Sequence, residues 1–107
     1  MKYRVLFYIL LFLSFSCFSL LGQTLIPVDK GWSNNSVNVT VFRKNSLLTA
    51  GNTQYISYYS PDSCLMLAKR DLDSTAWTIY KTQYKGNVND AHNSICIMVD
   101  GDGYLHV

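Results

Sequence analysis

The segment Asp90-Ala91-His92-Asn93-Ser94 gathers the residues of this chain best equipped for proton chemistry. Imidazole takes or gives a proton near neutral pH, which makes His92 a candidate general acid or base. Asp90, two residues earlier, can orient the ring. Asn93 can donate an amide hydrogen to a ligand oxygen or carboxylate. The same residues also suit a plain turn, in which Asp90 and Asn93 fold the backbone and His92 bonds a neighbouring peptide group. Loops carry function more often than strands do, so the functional reading of His92 stands beside the turn reading.

The other candidates are weaker. His106 shares a strand face with Tyr104 and reads as a satisfied strand histidine. Two histidines fall short of the four ligands of a zinc site. Asp100-Gly101-Asp102-Gly103 has the opening of a calcium loop, but such a loop closes on a glutamate and this sequence has none. Two Asp-Gly steps favour a hairpin turn instead. No metal and no cofactor is expected. There is no glycine-rich phosphate loop, and no serine has the setting of a nucleophile elbow. Trp32, Trp77 and the tyrosines Tyr55, Tyr58, Tyr59, Tyr80, Tyr84 and Tyr104 can stack on sugar rings or pack between sheets. Trp77 reads as core, and Trp32 is open. Lys85 and Arg43 can meet an anionic ligand or simply stay solvated.

The compartment follows from the first residues. Met1-Lys2-Tyr3-Arg4 is basic, residues 5–21 are almost wholly apolar, and Gly22 precedes a turn to polar character. These are the parts of a helical signal peptide over residues 1–22, with cleavage after Gly22. The apolar run of about 17 residues sits at the lower limit for a membrane span, so a retained anchor is the alternative. Cys17 lacks the leucine three places before it that a lipoprotein site has, and reads as part of the apolar run. The chain is therefore expected to be exported, to a periplasm or beyond the cell, with no membrane attachment once the signal is removed.

Cleavage removes Lys2 and Arg4 and with them the formal charge of +2. The remaining lysines and arginines balance the aspartates, so there is no basic footprint for nucleic acid. The 85 residues left make a small domain, and small domains often need a staple. Cys64 and Cys96 are the cysteines available for a disulfide, which export permits. The alternative is two small apolar side chains in strands. Asn34-Asn35-Ser36 and Asn38-Val39-Thr40 are glycosylation sequons, of consequence only in a eukaryotic secretory route.

Residues 23–35 form a polar lead-in with Pro27 and Gly31. Strand signals then recur. Residues 36–42 alternate Val37, Val39 and Val41 on one face. Residues 46–50, 54–59, 64–70, 76–82 and 94–99 read as further strands, and residues 104–107 start a returning one. Gly51-Asn52, Ser60-Pro61-Asp62-Ser63 and Asp100-Gly101-Asp102-Gly103 are turns between them, while residues 71–75 and 86–90 are loops. No segment after the signal has a helical period. Strands at this spacing give an all-β fold: a sandwich, a barrel or a propeller. The last strand ends without a turn, which predicts a truncated C-terminus.

The stretch from Gly31 to Val107 resembles the start of the BNR repeat-containing family of secreted β-propellers. The resemblance is carried by Val41-Phe42-Arg43-Lys44-Asn45-Ser46-Leu47, Thr53-Gln54-Tyr55, Tyr58-Tyr59, Leu67-Ala68-Lys69-Arg70, Trp77-Thr78 and Gly86-Asn87-Val88. Asp90-Ala91-His92-Asn93-Ser94 and Met98-Val99-Asp100-Gly101-Asp102-Gly103-Tyr104-Leu105-His106-Val107 complete it. The resemblance implies a seven-bladed propeller of four-stranded blades. Residues 36–107 are then a partial β-propeller: residues 37–82 supply about one blade and residues 94–107 open the next. One such unit cannot bury both faces without neighbouring blades.

Similar propellers include lyases acting on ulvan and enzymes that release rhamnose from glucuronate by elimination, with a histidine as acid/base or neutraliser. The resemblance places His92 in that role, with Asn93 and Asp90 beside the substrate. An acidic polysaccharide or oligosaccharide is then the partner of the complete protein, and this chain by itself is expected to be inactive. Before Trp77 the spacing of a sialidase-type Asp-box is missing. A non-catalytic propeller segment binding glycans or proteins, and a free-standing β-domain closed by Cys64–Cys96, are the other readings.

Overall fold

A computed structural model describes residues 22–35 and 45–107. Apart from Gly22, the expected signal peptide lies outside the described residues, as does the expected strand at 36–42. The described residues hold six strands and no helix: β1 (Leu47–Ala50), β2 (Thr53–Tyr59), β3 (Cys64–Asp71), β4 (Thr78–Lys85), β5 (Met98–Val99) and β6 (Leu105–His106). The first four form one sheet in the order β1-β2-β3-β4, and β5 pairs with β6 in a second. Every pairing is antiparallel.

Local chemistry explains the meander. Gly51 and Asn52 join β1 to β2 as a two-residue loop, and Gly51 takes φ +58°. That is the first central position of a type II′ hairpin, which suits glycine. Between β2 and β3, Ser63 N–H donates to the Ser60 carbonyl, and Ser60 N–H donates to the Cys64 carbonyl. Ser63 closes this turn at φ +63°. Between β3 and β4, Arg70 organises the loop, donating to the carbonyls of Ser74 at 2.6 Å and Leu72 at 3.3 Å.

The core follows the alternation of β3. Cys64, Met66 and Ala68 are buried, while the intervening Leu65 and Leu67 are half-buried on the other face. Val88, Ile95 and Ile97 from the following segment add to the core, with Ser57 and Thr82 as buried hydroxyls. Both hydroxyls are satisfied: Ser57 donates to the Met66 carbonyl and Thr82 to the Leu65 carbonyl. β4 is the outer strand, exposed along its length except at Thr82. It leaves Ile79, Tyr80 and Tyr84 in solvent.

Two strand boundaries differ from expectation. Ala76 and Trp77 precede β4, which runs on to Lys85. Ala76 N–H donates to the Ser74 hydroxyl, and the Arg70 guanidinium lies 5.3 Å from the Trp77 ring centre. Side-chain turn chemistry holds these residues where a strand ladder was expected. Trp77 is partly buried, with its ring nitrogen enclosed. Likewise, only Met98 and Val99 of residues 94–99 form a strand. Ile97 N–H donates to the Asn45 carbonyl at 2.7 Å, and the Asn45 amide donates to the Ile97 carbonyl at 2.9 Å. That single-residue clamp ties the start of the second sheet to the residues before β1.

The expected hairpin at residues 100–103 is present. Asp100 accepts from the N–H groups of Asp102 and Tyr104, and Gly103 adopts φ +88°. His106 is satisfied on β6, its Nε2 lying 2.7 Å from Asp100 Oδ2.

Cys64 and Cys96 are free thiols, not a disulfide. Alternation separates them. Ile95 and Ile97 point into the core and place Cys96 on the exposed side, whereas Cys64 is buried at the start of β3.

Candidate functional site

The segment from Gly86 to Ile97 positions the candidate residues. It leaves β4 under tight control, since Gly86 N–H donates to the Ser63 carbonyl at 3.0 Å. Val88 is buried, and its carbonyl accepts from Asn34 N–H of the lead-in. Two turns follow. Asp90 N–H donates to the Asn87 carbonyl, and Asn93 N–H donates to the Asp90 carbonyl, each at 3.1 Å.

Asp90 and His92 are brought together. Asp90 Oδ1 accepts the His92 backbone N–H at 2.9 Å and lies 3.0 Å from His92 Nδ1. These two bonds, the backbone one foremost, hold the Asp90 carboxyl below the usual carboxylate range. One oxygen thus makes both the turn bond and the contact to the ring. The His92 side chain is 95 % exposed. Its Nε2 edge is open to solvent, and the Asp90 carboxylate lies against Nδ1.

Asn93, adjacent in sequence, goes elsewhere. It lines a cavity of about 140 Å³ together with Trp32, Tyr58, Tyr59, Val88 and Ile95, and with the serines Ser33, Ser46 and Ser57. Asn93 Nδ2 is buried and has no hydrogen-bond partner. The lead-in forms one wall, held by Trp32 N–H on the Tyr59 carbonyl at 2.8 Å and by the Tyr58 hydroxyl on Asp29 at 2.9 Å. Burial, then the bond to Asp29 and its charge, push the Tyr58 phenol up to about 12. Sequence reasoning had Asn93 but missed the enclosure. Its one signal was Trp32, a large aromatic in a polar stretch.

A second polar cluster is structural in character. Asp62 accepts from the Ser60 hydroxyl and from Lys81, both at 2.5 Å, and the Cys64 thiol lies 3.5 Å away. The Lys81 bond, with help from Ser60, holds the Asp62 carboxyl well below its ordinary range. This cluster caps the β2–β3 turn and anchors it to β4. Among the described residues, no group of three or more His, Cys, Asp or Glu is placed to hold a metal ion.

Residues 53–107 match the family model described as "BNR repeat-containing family member". The match takes in β2 through β6 with Asp90, His92 and Asn93, and begins after the lead-in that carries Trp32. No curated protein matches the chain.

Proposed function

We propose, from the premise that this chain belongs to the BNR repeat-containing family, that it is an exported carbohydrate-active β-domain of propeller type acting on acidic polysaccharide. The four-stranded antiparallel meander has the strand content and order of a propeller blade, and the β5–β6 hairpin begins a separate sheet. Ile79, Tyr80 and Tyr84 on the outer strand supply apolar surface for a neighbouring sheet.

The observation that carries the catalytic part is the His92–Asp90 pair. A ring fixed at Nδ1 and open at Nε2 is the arrangement a general acid/base needs. On a uronate, His92 Nε2 would take the proton from the carbon next to the carboxylate. The electrons left there form the double bond as the neighbouring glycosidic C–O bond breaks, and the departing oxygen is protonated from the solvent. Asp90 stabilises the imidazolium so formed. Groups facing the substrate carboxylate would come from neighbouring blades, so this chain alone is expected to be inactive.

The test is release of unsaturated product from uronate-bearing polysaccharides by the propeller-containing protein. His92→Ala should abolish turnover with the fold intact. Asp90→Asn should lower it by about tenfold or more through loss of ring orientation. Full activity of His92→Ala sinks the catalytic assignment. A non-catalytic glycan-binding domain is the second reading, favoured by the unpartnered Asn93 amide in an aromatic-lined cavity. Glycan affinity unchanged by His92→Ala, with no turnover in the parent protein, would support it.

A further inference from the structure

We infer that the cavity between the lead-in and the end of β2 is a subsite for one uncharged sugar unit, distinct from the His92–Asp90 pair. The inference rests on the carbohydrate reading above and specifies its ligand chemistry.

Four observations converge on it. The first is size: about 140 Å³ is close to the volume that admits a single six-membered ring. The second is the wall. Trp32, Tyr58 and Tyr59 present aromatic surface, with Val88 and Ile95 as aliphatic floor. Trp32 is 51 % exposed, so its indole stands at the mouth as well as in the wall. Sugar C–H faces settle on such surfaces, which are apolar in body and polar at the tip.

The third observation is the Asn93 amide. Its Nδ2 is buried without a partner, and a buried amide donor is rarely left so in a folded protein. The neighbouring hydroxyls do not serve it. Ser33, Ser57 and Tyr58 donate elsewhere, and none of them accepts from Asn93 Nδ2. A ligand oxygen inside the cavity would complete the set.

The fourth is charge. None of the residues lining the cavity is ionised at neutral pH. A carboxylate here would be desolvated without a counter-charge, a costly arrangement. A hydroxyl, a ring oxygen or an acetamido carbonyl meets the amide without that penalty. The site therefore selects the neutral residues of a mixed polysaccharide, whereas His92 serves the acidic ones. Backbone bonds of the lead-in fix the wall in advance: Trp32 N–H to Tyr59 and Asn34 N–H to Val88. Preorganisation of this kind favours binding.

Saturation-transfer NMR on the full chain, with rhamnose, xylose, N-acetylglucosamine and glucuronate as probes, tests this. At least one neutral sugar should bind, glucuronate about tenfold more weakly. Asn93→Ala should weaken the neutral sugar about tenfold. Trp32→Ala, at a half-exposed position that leaves the core untouched, should weaken it about fivefold or more. Failure of all three neutral sugars to bind overturns the subsite, as does equal binding of glucuronate or indifference to both variants. Should His92-dependent elimination persist in that case, the function stands and only the subsite falls. Loss of both sinks the carbohydrate reading altogether.

Discussion

Gly86 lies under the ring of Tyr59 so closely that a β-carbon at this position would overlap its Cζ, Cε1 and hydroxyl. The glycine leaves β4 there, and Tyr59 ends β2 while lining the cavity beside Asn93. Gly86→Ala must therefore displace the ring or the backbone. Overpacking of this kind costs about 1–3 kcal/mol. Denaturant unfolding should show a loss of that size, and the NMR signals of Trp32 and Asn93 should shift with it. Unchanged stability would mean that the ring moves aside freely, and the cavity wall would then be adaptable.

Ser63 sits at φ +63°, in the left-handed region, at the end of the β2–β3 turn. A non-glycine residue costs about 1–2 kcal/mol there. Its side chain adds no hydrogen bond to offset this, since the cap comes from Ser60 and Asp62. Glycine gives back part of the gain as backbone entropy in the unfolded chain. Ser63→Gly is thus expected to stabilise by about 0.5 kcal/mol, seen as a higher melting temperature. A lower one would show that the serine makes an interaction the turn depends on.

These turns show what the sequence could and could not disclose. Gly51-Asn52, Pro61-Asp62 and the paired Asp-Gly steps at residues 100–103 mark their turns by residue type, because turn geometry is set locally. The alternation of Cys64, Met66 and Ala68 likewise exposes β3 as an inner strand. Ala76-Trp77 misled because Thr78 and Ile79 extend the pattern, while the Arg70 side chain that reshapes the loop comes from β3. The candidate site divides in the same way. Asp90 and His92 meet through a two-residue turn and are readable from spacing. Asn93 meets Trp32 and Tyr58 only through tertiary folding, across 61 and 35 residues of chain, and no local pattern records that.

Tyr58 gives a prediction at alkaline pH. Its phenol is pushed from 10.0 up to about 12 by burial and by Asp29. In the unfolded chain the same phenol ionises near 10. Its contribution to stability is therefore complete below pH 10 and is lost as the pH rises through about 12. Tyrosinate absorbance should show one late transition near pH 12 that Tyr58→Phe removes. Asp29→Asn should bring it part of the way back towards 10 and leave the share due to burial. A Tyr58 that titrates at the ordinary 10.0 would break the docking of the lead-in on β2, and with it the cavity wall.

The thiols give the last prediction. Cys64 is 5 % exposed within the β3 core, with its sulfur near Asp62, while Cys96 faces solvent between two buried isoleucines. Thiolate access governs reactivity. The folded chain should take up a maleimide at Cys96 at least about tenfold faster than at Cys64, and denaturant should abolish the difference. Mass measurement of the chain purified without reductant should show both hydrogens in place. A mass short by those two hydrogens, with labelling at neither site, would establish a Cys64–Cys96 bridge. It would also require residues 95–97 to turn over, carrying Cys96 inward and at least one isoleucine out of the core.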